Sequence, residues 1–379
     1  MVKMSKGKKL VIVVFALVIA AGGFLSYKAW RIKKWNERFE RSLARYEDKE
    51  YAMAAPDFLS VYQEQPHTER GRDALYLYCM SLDAMGKRDV AQRWWERIAS
   101  DDMAKEFHPS ALLALAQTAA AQERDADAAR YIERLIRGYP DSPLVGNAYL
   151  IRAELLRREG NTVAAMEAAQ KVLDDYPESE VVGRAQKELG DLYIALLFSR
   201  TIMPGTEEYI VQPGDSLQMI AKKFGTTVSL LKEMNAQTIK GNSIRPNDRL
   251  KVCTEKFSIL IDKSSNTLTL KAGERIAKVY PVGTGKEGTT PTGEFTIVNK
   301  IENPEWFKPG VGIIPYGDPE NLLGTRWMGL DSPGYGIHGT WEPETIGKQA
   351  SAGCVRLLNR DVEELFTIVP TGTKVIVVE

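Results

Sequence analysis

A histidine and a cysteine sixteen positions apart both sit in glycine-containing turns, His338-Gly339-Thr340 and Ser351-Ala352-Gly353-Cys354-Val355-Arg356. A thiol needs a base to become a nucleophile, and an imidazole is the usual one. A free thiol ionises near pH about 8.5, so little thiolate exists at neutral pH. A neighbouring imidazolium lowers that value and leaves a reactive ion pair. On this reading Cys354 attacks a carbonyl to give an acyl-enzyme, while His338 takes the thiol proton and later returns it to a leaving amine. Glycine at 353 lets the backbone come close to a reacting centre without a Cβ clash. Arg356 carries a planar fork suited either to a substrate carboxylate or to holding the loop. No metal site or cofactor is expected, since His67, His108 and His338 share no ligand spacing and no Cys-x-x-Cys occurs.

The other two cysteines, Cys79 and Cys253, fall in different segments, so a disulfide scaffold is not expected. Cys79 reads as a buried helix residue. Cys253 follows a strand and has no evident role. The elements around the His/Cys pair read as β. Phe257 to Ile261, Thr267 to Leu270, Ala277 to Val282, Gly293 to Asn299 and Thr373 to Val378 are expected strands, with one helix near Asp361 to Phe366. Asn303 to Thr325 is long and rich in proline and glycine. A connection of that length in a compact domain is more often functional than idle. Trp306, Phe307 and Tyr316 make it either an apolar lid or an ordered surface loop.

The ordered string His-Gly-Thr followed by Ser-x-Gly-Cys-x-Arg, with a Thr-Pro-Thr-Gly turn at 290–293, resembles the L,D-transpeptidase catalytic domain of the YkuD family. The resemblance implies an enzyme acting on peptidoglycan tetrapeptide stems at the third residue, with D-alanine as leaving group. The acyl group then passes to an amine, giving a 3→3 cross-link or a protein attachment. Water as acceptor (an L,D-carboxypeptidase) and a catalytically silent wall-binding scaffold are the alternatives. By the same resemblance the carbonyl of Gly339 fixes the ring of His338 and Ser351 helps order the site. The N–H groups of Gly353 and Cys354 form the oxyanion hole, and Thr340 joins Arg356 in holding substrate. Many relatives have histidine after the motif serine, where this chain has Ala352.

Residues 207–253 change character. Tyr209-Ile210-Val211 reads as a strand and Pro213-Gly214-Asp215 as a turn. Asp215 is the expected N-cap of a helix, with Gln218 at the capping-box position. A second helix near Val228 to Asn235 and a closing strand at Arg249 to Val252 follow. The string resembles a LysM module, with Asn247 where a glycine is usual. That implies a small βααβ fold binding glycans that contain N-acetylglucosamine. The binding loops correspond to Gly214, Asp215, Ser216 and Leu217, and to Gln237, Thr238, Ile239 and Lys240.

Residues 35–199 are helical in pattern and repeat. Tyr139-Pro140-Asp141-Ser142 recurs thirty-seven residues later as Tyr176-Pro177-Glu178-Ser179. Small residues keep the same spacing at Ala91, Ala128 and Ala165, and at Cys79, Ala116 and Ala153. This resembles a tetratricopeptide-type array with a period a little above the usual 34. It serves either to dock a protein partner or to hold the catalytic domain off a membrane. Its stack is expected to be separate from the catalytic core.

Leu10 to Tyr27 carries no charge over eighteen residues. As a helix it is about 27 Å long, close to a bilayer's hydrocarbon thickness. Lys3, Lys6, Lys8 and Lys9 precede it, and Tyr27 and Trp30 follow. A signal-anchor is favoured over a cleaved signal peptide, whose apolar stretch is usually about 7–15 residues. The 50 basic and 50 acidic residues balance, which points away from nucleic acid as a partner.

The expected fold class is thus multidomain. A basic cytoplasmic tail (1–9) and a transmembrane helix (10–27) precede an all-α TPR-like solenoid (35–199). A LysM module (207–253) and a mainly-β catalytic domain (256–379) follow. The expected setting is a bacterial cell envelope, with everything after the anchor outside the cytoplasm.

Overall fold

The computed structural model describes the backbone of residues 6–308 and 310–379, and the side chains of 22–23, 25–308 and 310–379. The chain divides into two compact units, Met1–Ile151 and Arg152–Glu379. The expected span at 10–27 and the tail at 1–9 lie mostly outside the described side chains. A helix, α1, does run Lys6–Glu47. Among the described residues no helix is long and apolar enough to cross a membrane.

The first unit holds helices α2 (Tyr51–Glu64), α3 (Glu69–Ala84), α4 (Arg88–Ile98), α5 (His108–Ala121) and α6 (Asp125–Gly138), each packed on the next or the one before. Helix α7 (Val145–Arg158) spans the division, and α8 (Thr162–Asp175) and α9 (Val182–Phe198) belong to the second unit. The small residues singled out by the repeat, Cys79, Ala91, Ala116, Ala128, Ala153 and Ala165, are all fully buried. Absence of bulk there lets two helices of a hairpin approach, which is why the spacing is kept.

After α9, strands β1 (Thr206–Ile210) and β2 (Arg249–Cys253) pair antiparallel around helices α10 (Leu217–Phe224) and α11 (Val228–Met234). This is the expected βααβ order. The N-cap of α10 is Ser216 and not Asp215, since the Ser216 hydroxyl accepts from Met219 N. Asp215 instead accepts from Gln212 N–H (2.7 Å) and the Tyr209 hydroxyl (2.8 Å), and so shapes the turn before the helix. Asn247 sits at φ +72°, so it occupies the left-handed seat that glycine usually takes.

The catalytic region is built on one eight-stranded mixed sheet. Its strands are β3 (Phe257–Asp262), β4 (Thr267–Ala272), β5 (Arg275–Pro281), β7 (Gly293–Glu302), β10 (Arg326–Leu330), β11 (Gly336–His338), β13 (Val355–Arg356) and β14 (Lys374–Val378). Their order is β13-β11-β10-β7-β14-β3-β4-β5. Short strands β6 (Thr284–Gly285) and β12 (Gln349–Ser351) pair parallel beside it, and helix α12 (Asn359–Ile368) packs on it. Alternate residues of β3 and β4 point into the core, which is the period of 2 that made these strands readable.

One expectation is corrected here. The catalytic core is not separate from the last helix of the helical region, α9, which lies in the same compact unit. Tyr193, Ile194, Leu196 and Leu197 of α9, and Leu230, Met234 and Cys253 of the LysM region, lie in the same buried cluster as the strands of the catalytic sheet. Each such aliphatic side chain contributes about 1.5–3 kcal/mol when buried. Polar contacts fix the register. Lys251 Nζ donates to the carbonyls of Leu196, Leu197 and Ser199 (2.9, 3.0 and 2.9 Å), closing the C-terminus of α9 with a buried cation. Lys278 bridges Asp191 of α9 and Glu364 of α12 (2.9 and 2.8 Å). Period reading assigned α9 to the array, because one face of a helix can repeat while its other face packs on a sheet.

Candidate active site

Strands β11 and β13 pair parallel, with Ile337 opposite Val355 and His338 opposite Arg356. That pairing brings the histidine turn and the cysteine turn together across the edge of the sheet. On its other side β13 is held by Gly283, whose N–H and carbonyl both bond the backbone of Arg356 (2.9 and 2.8 Å). The short strand that begins at Cys354's neighbour, Val355, is therefore clamped from both flanks.

His338 is buried, and its Nδ1 donates to the carbonyl of Gly339 (2.6 Å). A carbonyl only accepts, so in the neutral ring the Nδ1 carries the proton and Nε2 holds the lone pair. Burial pushes the imidazole pKa down to about 4. The Gly339 and Leu323 carbonyls favour the charged ring, and the guanidinium of Arg356 opposes it. Trp327, the antiparallel partner of His338, stacks on the ring, centroids 5.8 Å apart and planes 25° from parallel. Asn359 accepts from Thr325 N–H and packs so closely on Gly339 that a Cβ there has no room.

Cys354 is partly exposed, whereas Cys79 and Cys253 are fully buried. Its thiol donates to the carbonyl of Gly334 (3.4 Å). Burial pushes the thiol pKa up, against the Gly336 N–H and the Arg356 charge, which lower it. Burial also drives the thiols of Cys79 and Cys253 upward, the latter to about 11. The shifts at Cys354 and His338 run opposite to those of a resting ion pair. Burial thus works against both the thiolate and the imidazolium, because each charged form loses hydration in this site.

The turn that presents the thiol is tightly held. Ser351 Oγ donates to the Cys354 carbonyl (2.6 Å) and accepts from Gly353 N–H (3.0 Å). Thr290, from the Thr-Pro-Thr-Gly turn, donates to the Gly353 carbonyl (2.9 Å) and accepts from Gly285 N–H (2.8 Å). Gly353 lies at φ +135°, and a Cβ there would meet the Tyr335 ring at 2.8 Å. The Gly353 N–H, expected in the oxyanion hole, is thus already engaged by Ser351.

Two other expected residues are committed to the fold. Arg356 is buried, and Nη1 donates to Glu342 (2.7 Å). Thr340 is buried, and its hydroxyl accepts from Glu342 N–H (3.0 Å). Trp327, Tyr335, Thr290, Glu342 and Asn359 were not anticipated. Only the Thr-Pro-Thr-Gly string carried a signal for any of them.

The 303–325 connection is structured among its described residues. Strands β8 (Trp306–Lys308) and β9 (Gly312–Ile314) form a hairpin, and buried Asn321 donates to the carbonyls of Pro304, Ile314 and Pro315. Phe307 faces solvent, while the Tyr316 ring approaches Trp341, three residues after His338 (6.5 Å).

Of the loose glycan-site candidates, Leu217 and Ile239 are core residues and cannot meet a ligand. Asp215 and Ser216 hold the turn and the cap. Gly214, Gln237, Thr238 and Lys240 reach the surface.

The L,D-transpeptidase catalytic domain pattern matches residues 256–377, the LysM domain 209–252, and the tetratricopeptide repeat 110–142 and 147–179. The chain belongs to the YkuD family of L,D-transpeptidases, enzymes acting on peptidoglycan. It is 40% identical over 173 residues to the candidate L,D-transpeptidase YkuD of Bacillus licheniformis, covering 44% of this chain and 96% of that protein. Against the candidate YkuD of Bacillus subtilis it is 39% identical over 172 residues, with the same coverage of each chain. An L,D-transpeptidase structure from Mycobacterium smegmatis matches at 22% identity and TM-score 0.30, covering 35% of this chain and 64% of that one. The LysM and transpeptidase domains together indicate work on the cell wall outside the cytoplasm.

Proposed function

We propose that Cys354 is the acyl-accepting nucleophile and His338 its base, acting on tetrapeptide stems of peptidoglycan. The observation that carries this is the parallel pairing of β11 with β13, which sets His338 beside the strand that follows Cys354. The Nδ1–Gly339 hydrogen bond leaves Nε2 with its lone pair free to take a proton. Starting from two neutral groups, Cys354 attacks the carbonyl of the third stem residue as its proton passes to His338. The carbonyl C–O π pair moves to oxygen, and the C–N bond to D-alanine then breaks as His338 protonates the leaving amine. The acyl thioester is next attacked by an amine, whose proton passes to His338 as the new C–N bond forms; the C–S bond then breaks and His338 returns that proton to the departing Cys354 thiolate. The oxyanion is assigned to the Cys354 N–H, with Gly353 contributing once Ser351 releases it. Ser351 orders the turn, Gly339 the ring, and Arg356 and Thr340 the surrounding loop.

The LysM module binds glycan through the exposed residues Gly214, Gln237, Thr238 and Lys240, which raises the local concentration of stems. The uncharged run from Leu10 to Tyr27 supports a single membrane anchor with the remaining domains outside the cytoplasm. The array serves either to dock a protein partner or as a stalk for the catalytic domain. Residues 35–199, 207–253 and 256–379 are read as functional divisions, although α9 packs with the last of them.

Incubating the protein with defined tetrapeptide stems and amine acceptors, and weighing the products, tests the reaction. Cross-linked or amine-captured acyl products with release of D-alanine are expected. Release of D-alanine with only hydrolysed tripeptide would replace transfer by carboxypeptidase action.

A further inference from the structure

We propose that Glu342 is a positioning residue that staples the loop following His338 to the strand following Cys354, through Arg356. This rests on the assignment of that pair as the reacting groups. The backbone joins the two halves on one side only, by the β11–β13 register and the Leu357 N–H to His338 carbonyl bond (2.8 Å). On the other side the chain leaves His338 through Gly339 and Thr340. It turns at Glu342, whose carbonyl accepts from the Thr345 N–H and hydroxyl (3.1 and 2.7 Å). From that turn the Glu342 carboxylate reaches back to Arg356 Nη1 at 2.7 Å, fourteen residues along the chain. The result is a closed ring of contacts around the histidine loop.

The Arg356 end of this bridge is buried, its side chain 10% exposed, and its Nε is buried without a hydrogen-bond partner. Among the described residues Glu342 is the carboxylate the guanidinium meets. Removing one partner of such a pair leaves an uncompensated buried charge. Here the surviving charge stands next to both reacting groups, where it favours thiolate and disfavours imidazolium. The groups facing His338 are the Trp327 ring, the Gly339 and Leu323 carbonyls and Arg356. Those facing the thiol are the Gly334 carbonyl, the Gly336 N–H and Arg356. None of these is an acid, so the neutralising group for the whole cluster is Glu342. Losing it has consequences of opposite sign. More of Cys354 is thiolate at a given pH, but His338 holds a proton less well and the loop after it is no longer tied to the strand that follows Cys354.

The test is Glu342→Gln beside Glu342→Asp and Cys354→Ala in the full chain, with thermal unfolding monitored for each. Two rates are measured across pH: alkylation by iodoacetamide, mapped to Cys354 by peptide mass, and acyl transfer. In Glu342→Gln the thiol pKa falls by about half a unit, so alkylation at pH 8 rises about threefold. Transfer at the same pH falls about tenfold, and Glu342→Asp recovers most of it. A Glu342→Gln alkylation profile identical to wild type overturns the proposal. So does a parallel loss of alkylation, transfer and Tm, which marks a residue that only supports the fold. Transfer surviving in Cys354→Ala overturns the nucleophile itself, a failure distinct from either.

Discussion

Trp327 lies flat against His338, the two rings 25° from parallel with centroids 5.8 Å apart. The indole is one wall of the site that strips water from the imidazole, and burial is the largest influence lowering its pKa to about 4. A neutral ring is the form that can take a proton, so His338 stays competent well below its ordinary pKa of about 6.5. The acid limb of kcat/KM is expected near pH 4. Trp327→Ala wets the ring, raises its pKa and moves that limb up toward 6.5, so activity at pH 5 falls more than at pH 8. A stability effect accompanies it. The unfolded histidine binds its proton more tightly than the folded one, so this group's share of stability, full above about 6.5, is lost as pH falls toward 4. An acid limb already at 6.5 in wild type would contradict the buried neutral ring.

The thiol makes the complementary prediction. With its pKa raised, Cys354 in the resting enzyme should alkylate slowly at pH 7 and faster only into the alkaline range. A rate plateau already reached below pH 7 would restore the ion pair. Cys354→Ala should abolish the acyl-enzyme, while Cys79→Ala and Cys253→Ala keep the chemistry, since both those thiols are sealed in the interior. A carbapenem-type β-lactam, which acylates the cysteine in the family this chain resembles, should add its mass at Cys354 and at no other residue.

Ser351 holds the cysteine turn from inside. Ser351→Ala removes one hydroxyl and leaves both the Gly353 N–H and the Cys354 carbonyl without that partner. The expected loss is about 1–3 kcal/mol in denaturant unfolding, with slower transfer as the thiol loses its fixed direction. A stability change under about 0.5 kcal/mol would mean that water replaces the hydroxyl freely.

Lys251 ties α9 to the LysM strand. Lys251→Met deprives three carbonyls at the end of α9 of a common donor. A loss of about 1–3 kcal/mol is expected, with α9 amides exchanging faster. By the same packing, a fragment beginning at residue 256 exposes the seat of Tyr193, Ile194, Leu196 and Leu197 and should aggregate. One beginning near Thr162 should stay soluble. A soluble, active 256–379 fragment would show that the shared core is dispensable.

The residue strings carried a great deal. His338, Ser351 and Cys354 were legible because a short run of glycines, a base and a thiol in a set order has few other uses. The strands β3 and β4 were legible because alternation along a half-buried ribbon leaves a period of 2 in the chain itself. Ala91, Ala128 and Ala165 announced close helix packing, since a helix hairpin is a local object.

Contacts between distant parts of the chain left no such mark. Nothing in Glu342 or Trp327 announces the partner it meets, because a side chain's type does not encode what a strand register sets opposite it. The pKa shifts of Cys354 and His338 follow from burial, which the assembled sheet imposes on both. The union of α9, the LysM strand and the catalytic sheet in one core was likewise decided by tertiary structure. A helix's second apolar face fits a sheet as well as it fits another repeat, and only the assembled molecule shows which surface it covers.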